Sequence, residues 1–156
     1  IRFELCSLSV VKTISPFFKW RDLAKRFRHS VVFFVKIISL DPIYQWINKR
    51  GYEVQNEQII IEGIPVQFIP VYNPLINKAV ENAAEIKYKN TVVNVIKSEY
   101  LFAIMLQTYR PKDIERMIKF LDQAEMSNEL LDEILREFNL SDKYNSFIRK
   151  YYENRW

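Results

Sequence analysis

The residues best placed to do chemistry lie between Gln107 and Arg116 (QTYRPKDIER). Three cations, Arg110, Lys112 and Arg116, mix there with two acids, Asp113 and Glu115, around a predicted junction between two helices. Pro111 suits a first helical position, which puts Lys112 and Asp113 in the first turn and Arg110 on the connection. Asp113 then sits at the positive end of the helix dipole. From there its carboxylate can fix the guanidinium of Arg110 or Arg116 in one orientation, as a phosphate or other anion site requires. The plain alternative is helix capping with a surface ion pair, worth about 0–1 kcal/mol. By itself the residue pattern favours that alternative.

Other chemistries find less support. His29 is the only histidine and lies in an irregular basic stretch, so no Ser–His–Asp or Cys–His set is corroborated and no catalytic residue is assigned. Cys6, the only cysteine, reads as a small buried hydrophobe, and alone it builds neither an internal disulfide nor a thiolate zinc site. No metal ligand is assigned. An all-carboxylate magnesium site stays open in principle. The clustered acids Glu129, Asp132, Glu133 and Glu137, however, fall at helical spacing, as a solvated face does.

Composition narrows the classes further. The 156 residues suffice for one domain with a core, and apolar residues at 49% exclude a disordered chain. The net charge of +4 hides a split. Residues 1–40 hold eight basic groups against two acids, whereas residues 41–156 hold fifteen against seventeen. A single cysteine makes a reducing, cytoplasmic setting the default. No apolar run reaches the roughly 20 residues of a spanning helix, so no membrane partner is expected, and Glu4 and Lys12 argue against a signal peptide. At an average usage of about 7% the chain would carry roughly eleven glycines. It has two, Gly51 and Gly63, so neither a dinucleotide fingerprint nor a P-loop can be written. The basic front, KWRDLAKRFRH, interleaves aromatics with cations, but its modest charge and lack of a binding signature make nucleic acid an unfavoured, not excluded, partner.

The elements that must position these residues follow from periodicity and caps. Lys19 to His29 predicts a short basic helix, and Val31 to Ile38 a buried strand. Asp41 as N-cap with Pro42 starts a helix facing inward with Ile43, Tyr44, Trp46 and Ile47 and ending at Gly51. QIIIE and IPVQFI around Glu62-Gly63 predict a hairpin. Asn73-Pro74 opens a helix predicted to run to about Tyr88 along Leu75, Ile76, Ala79, Val80, Ala83 and Ala84, and Thr91 to Ile96 is a strand. Ser98 is predicted to cap a helix through about Tyr109, apolar at Tyr100, Leu101, Ile104 and Met105. Three more helices begin at Pro111, Ser127 and Ser141, facing inward with Ile114, Met117, Ile118 and Leu121, then Leu130, Leu131, Ile134, Leu135 and Phe138, then Tyr144, Phe147, Ile148 and Tyr151. The plan is α+β: a small mixed sheet flanked by helices that continues into a helical, bundle-like extension. A single domain is expected over 1–156, with an atypical front (1–37), the sheet and its helices (38–97), and the extension (98–156).

From about Ile38 to residue 125 the chain resembles a prokaryotic family within the nucleotidyltransferase superfamily. That family is one of small nucleotidyltransferase-like proteins, relatives of the minimal nucleotidyltransferases and of the toxin half of abortive-infection toxin–antitoxin pairs. The resemblance rests on Ile38-Ser39-Leu40-Asp41-Pro42-Ile43-Tyr44, Gly51-Tyr52, and the run Gly63-Ile64-Pro65-Val66-Gln67-Phe68-Ile69-Pro70-Val71-Tyr72-Asn73-Pro74-Leu75. Further on come Ala79-Val80-Glu81-Asn82-Ala83, Glu99-Tyr100-Leu101, Gln107-Thr108, Arg110, Lys112-Asp113 and Arg116. It implies transfer of a nucleoside monophosphate from a nucleoside triphosphate (NTP), with Mg2+ held by acids. Two of those acids form an Asp-x-Asp after a glycine-containing turn, and a third lies on a neighbouring strand. It also implies a nucleotide as ligand and an antitoxin or other protein as possible partner.

The chain departs from that pattern where the metal would bind. No acid occurs between Asp22 and Asp41, no glycine precedes Gly51, and the polar position on the strand expected to carry the third carboxylate is Gln67. A helix lysine of the toxin relatives is replaced within Ala103-Ile104-Met105-Leu106, and the expected second acid beyond Asp113 is Glu115 or is lost to Arg116. Either the front is a degenerate or frame-shifted replacement of the catalytic half, or the fold is intact in a non-catalytic relative. The expectation is a nucleotidyltransferase-like protein defective in catalysis, with Arg110 and Lys112 meeting phosphate, Asp113 orienting them and Gln67 facing a cleft. The alternatives are an active enzyme with acids supplied elsewhere, such as Glu62, or a non-enzymatic module binding a partner protein or nucleic acid.

Overall fold

A computed structural model of the chain describes residues 8–10, 31–36, 39–55, 58–61, 63–88 and 91–151. Cys6, the predicted basic helix Lys19–His29 with His29 itself, and Glu62 lie outside the described residues. The chain divides into two compact units, 1–96 and 97–156.

The first unit is built on a mixed seven-stranded sheet in the order β3-β4-β5-β2-β1-β7-β6. Its strands are β1 (Leu8–Val10), β2 (Val31–Val35), β3 (Glu53–Gln55), β4 (Gln58–Ile61), β5 (Ile64–Pro70), β6 (Ala84–Tyr88) and β7 (Thr91–Val95). The three central strands β5, β2 and β1 run parallel, and every outer pairing is antiparallel. Because strand side chains alternate, Phe33 and Val35 of β2 share a face with Val66 and Phe68 of β5. That face packs on helix α1 (Asp41–Lys49) through Ile43 and Ile47. Phe33 and Phe68 stack with ring centroids 5.5 Å apart, and Ile59 and Ile61 of β4 complete the cluster.

Turn chemistry closes these elements as the residues dictate. Ile61 stands opposite Ile64, and Gly63 takes φ +82°, a left-handed conformation that costs glycine little and a residue with a Cβ more. Gly51, at φ +69°, follows α1 and bonds back through its N–H to the Asn48 carbonyl. Asn73 caps helix α2 (Pro74–Glu81), its Oδ1 accepting from the Ile76 N–H at 2.8 Å.

Three local expectations are corrected. α2 stops at Glu81 rather than near Tyr88, and Ala84–Tyr88 is a strand pairing antiparallel with β7. The short alternation Glu85/Lys87 against Ala84/Ile86/Tyr88 fits a sheet edge, and pairing overrides the helical propensity of the adjoining alanines. At α1 the N-cap is Leu40, one residue early. Ser39 Oγ instead accepts from the Asp41 N–H and donates to the Asp41 carboxylate. Lys97 likewise takes the N-cap position expected of Ser98, which becomes the first helical residue.

The second unit holds four described helices: α3 (Ser98–Thr108), α4 (Pro111–Gln123), α5 (Asn128–Glu137) and α6 (Ser141–Tyr151). α3 is buried from Glu99 to Leu106 on every side, beyond the one-sided face predicted for it, and so forms the unit's centre. Phe102 of α3 meets Tyr144 and Phe147 of α6 edge to face, at 5.8 and 6.1 Å. Met117 and Phe120 of α4 and Leu131, Ile134 and Leu135 of α5 are also buried, while Glu129, Asp132, Glu133 and Glu137 form the exposed acidic face expected. Ser127 caps α5, accepting from the Leu130 N–H at 3.2 Å. The observed fold class is α+β.

Candidate anion site at a helix junction

The junction between α3 and α4 is made by three consecutive backbone choices. Tyr109 ends α3 in the left-handed conformation, φ 54°, with its N–H on the Met105 carbonyl at 2.8 Å. Arg110 is extended, as a residue before proline prefers. Pro111 then opens α4 with the φ a first helical residue needs. This sequence brings the last turn of α3 against the first turn of α4.

Asp113 is the hub. Its side chain is 2% exposed, yet one oxygen, Oδ2, accepts from the Thr108 hydroxyl at 2.8 Å and from Arg110 Nε at 2.9 Å. The Arg110 backbone N–H lies 3.4 Å from the same oxygen, so Asp113 supplies the acidic arm of a capping box. Arginine has no acceptor with which to return the other arm. Across the carboxylate, Arg116 Nη1 is 3.6 Å from Oδ1, a charge contact longer than a hydrogen bond. Burial by itself would raise the Asp113 pKa. The hydrogen bonds from Arg110 and Thr108 and the charge of Arg110 outweigh it and hold the carboxyl below the usual aspartate range.

The cations face outward from this hub. The Arg110 side chain is 72% exposed and bound to Asp113 through Nε, and its terminal N–H groups make no hydrogen bond or ion pair with a described residue. Lys112 is exposed and makes no ion pair with a described residue. Lys143 of α6 reaches the same junction, its Nζ donating to the Gln107 carbonyl at 3.0 Å and lying 4.8 Å from the Tyr109 ring centroid. The contributions of Thr108 and Lys143 are not visible in sequence spacing. Thr108 sits five positions before Asp113 across a helix break, and Lys143 is recruited from another helix.

Of the four site residues expected from the sequence, Arg110, Lys112 and Asp113 share this junction. Gln67 belongs to β5 of the first unit, half-buried, opposite Val32 in register and on the face away from Val66 and Phe68. On that face β2 and β5 also present Phe34 and Ile69, paired in register. The donor set there is one neutral amide among hydrocarbon side chains, which does not fit the hard, charge-demanding Mg2+ that the resemblance implies. No group of three or more His, Cys, Asp or Glu side chains converges among the described residues. No helix among them is long and apolar enough to cross a membrane.

A second buried carboxylate is structural. Glu99, in the first turn of α3, accepts from the Ser127 N–H at 2.7 Å and ties the start of α3 to the start of α5. No protein-family model matches the chain, and no curated protein matches it significantly.

Proposed function

We propose that this chain is a cytoplasmic nucleotidyltransferase-like protein that does not itself transfer a nucleotide, and that it holds the phosphates of a nucleotide at the α3–α4 junction. The observation that carries this reading is the buried Asp113 carboxylate with Arg110 fixed on it through Nε while the Arg110 side chain stays 72% exposed. A guanidinium held this way is oriented before a ligand arrives, so less side-chain entropy is lost when it meets a phosphate. Lys112 in the first turn adds a second positive charge beside Arg110.

The inactive half of the proposal rests on the residues of β2 and β5. Val32, Phe34, Gln67 and Ile69 carry no carboxylate where the family's metal chemistry needs one. Incubation of the full chain with Mg2+ and radiolabelled nucleoside triphosphates, followed by separation of protein, RNA and nucleotide, tests that half. Unchanged label is the expected result, and labelled protein or RNA overturns it. Calorimetric titration with the same nucleotides tests the other half: Arg110→Ala is expected to weaken binding about tenfold or more, as loss of a charge-assisted contact does. Equal affinity in the variant overturns it.

A further inference from the structure

The strand β6 ends the sheet on one side, with β7 as its only partner among the described strands. Glu85, Ile86 and Lys87 are all exposed there, Ile86 to 46%, and no described group holds either charge. A free edge is a template for another strand, and charged residues normally discourage that pairing. Of the symmetric registers centred on Glu85, Ile86 or Lys87, they discourage all but one.

Tyr88 and Thr91 face each other only three positions apart, so their backbone groups point at one another. By alternation the N–H and C=O groups of Ile86 point to β7, and those of Glu85 and Lys87 point outward. A second copy can therefore dock antiparallel only with Glu85 or Lys87 meeting an outward-pointing residue. Centring the two-fold on Glu85 opposes two carboxylates, and centring it on Lys87 opposes two ammonium groups. Centring it on Ile86 sets each Glu85 against Lys87 of the other copy, in hydrogen-bonded pairs, and brings the two exposed isoleucines together on the opposite face.

We propose that β6 is a homodimerisation edge, joining two copies of this chain in that register into a continuous sheet. The contact is isologous and closes on itself. The other edge, β3, offers Glu53 but no cation among its three residues, so it completes one charge pair with β6 where the two-fold completes two. Five residues of edge form a small interface, so the dimer is weak and concentration-dependent.

Sedimentation velocity of the full chain over a concentration series tests this, with variants E85K and K87E and the double exchange E85K/K87E. Wild type is expected to pass from monomer to dimer and stop there. Each single variant sets like charges opposite and is expected to weaken the dimer about tenfold or more. Mixing the two single variants, or combining both changes in one chain, restores it. A wild type that stays monomeric, assemblies that grow past a dimer, single variants that dimerise as wild type does, or a folded double exchange that stays monomeric each overturns the proposal. Hydrogen exchange on the wild type gives a readout independent of variant folding. The Glu85 and Lys87 amides are expected to gain protection as concentration rises, and protection that does not change with concentration overturns the inference.

Discussion

Removing the Asp113 carboxylate is the most informative single perturbation of the second unit. The change Asp113→Ala deletes a buried acceptor of two short hydrogen bonds, from Thr108 Oγ1 and Arg110 Nε. A hydrogen bond to a charged group is worth about 1.5–3 kcal/mol, but two features reduce the sum. The Arg110 side chain is largely exposed, so its ion pair contributes no more than about 1 kcal/mol. The Thr108 hydroxyl has a single proton and two other acceptors in reach, the carbonyls of Ile104 at 3.1 Å and Met105 at 3.2 Å, so it is not orphaned. Loss of the long capping contact to the Arg110 N–H adds a few tenths. The expected cost is about 2 kcal/mol, and about 1 kcal/mol for Asp113→Asn, which keeps the shape and one acceptor.

Because the folded-state pKa of Asp113 is depressed, its contribution is fully present above the unfolded value of about 3.9 and is lost as pH falls through the folded value. Urea unfolding followed by circular dichroism at a series of pH values reads this directly. The gap between wild type and Asp113→Asn should hold constant from pH 7 to about pH 5 and shrink at lower pH. A gap that is absent at pH 7, or that persists undiminished well below pH 3, would refute the role given to the carboxylate.

Other substitutions probe the elements around it. Gly63→Ala meets no atom within 4 Å, so its cost is conformational alone, about 1 kcal/mol from the positive φ, read as a lower urea midpoint. Asn139, exposed at φ 54° after α5, is the converse: Asn139→Gly should leave stability unchanged or raise it by up to about 1 kcal/mol in thermal unfolding. Glu99→Ala strips the Ser127 N–H of its acceptor and should cost about 1–2 kcal/mol, with faster amide exchange at Ser127.

Much of this fold is legible in the sequence where one residue type dictates one local geometry. Asn73, Ser127, Pro111 and Gly63 each do in the structure what their chemistry predicts. The amphipathic faces of α1, α5 and α6 follow from spacing alone. What escapes is decided by partners distant in the chain. β1 and β3 are three residues long and exist because neighbours pair with them, and β6 is a strand because β7 lies beside it. The same distinction holds at the junction. Arg110 and Asp113 are three apart on one helix start and can be paired from spacing, whereas Thr108 and Lys143 reach the junction only once the helices have packed. The two caps displaced by one residue, at Leu40 and Lys97, have a plain reason: a serine or aspartate near a helix start need not occupy the cap itself.

On the proposed function, Arg110, set by Asp113, receives phosphate while the chain performs no transfer. Equilibrium dialysis of the full chain against labelled nucleoside triphosphate, with wild type beside the Arg110→Ala/Lys112→Ala double variant, measures it most directly. Saturable binding by wild type is expected, with the nucleotide recovered chemically unchanged, and loss of binding in the variant while its circular dichroism spectrum stays that of the wild type. Equal binding by the two proteins, or nucleotide recovered as the monophosphate attached to an acceptor, would contradict it.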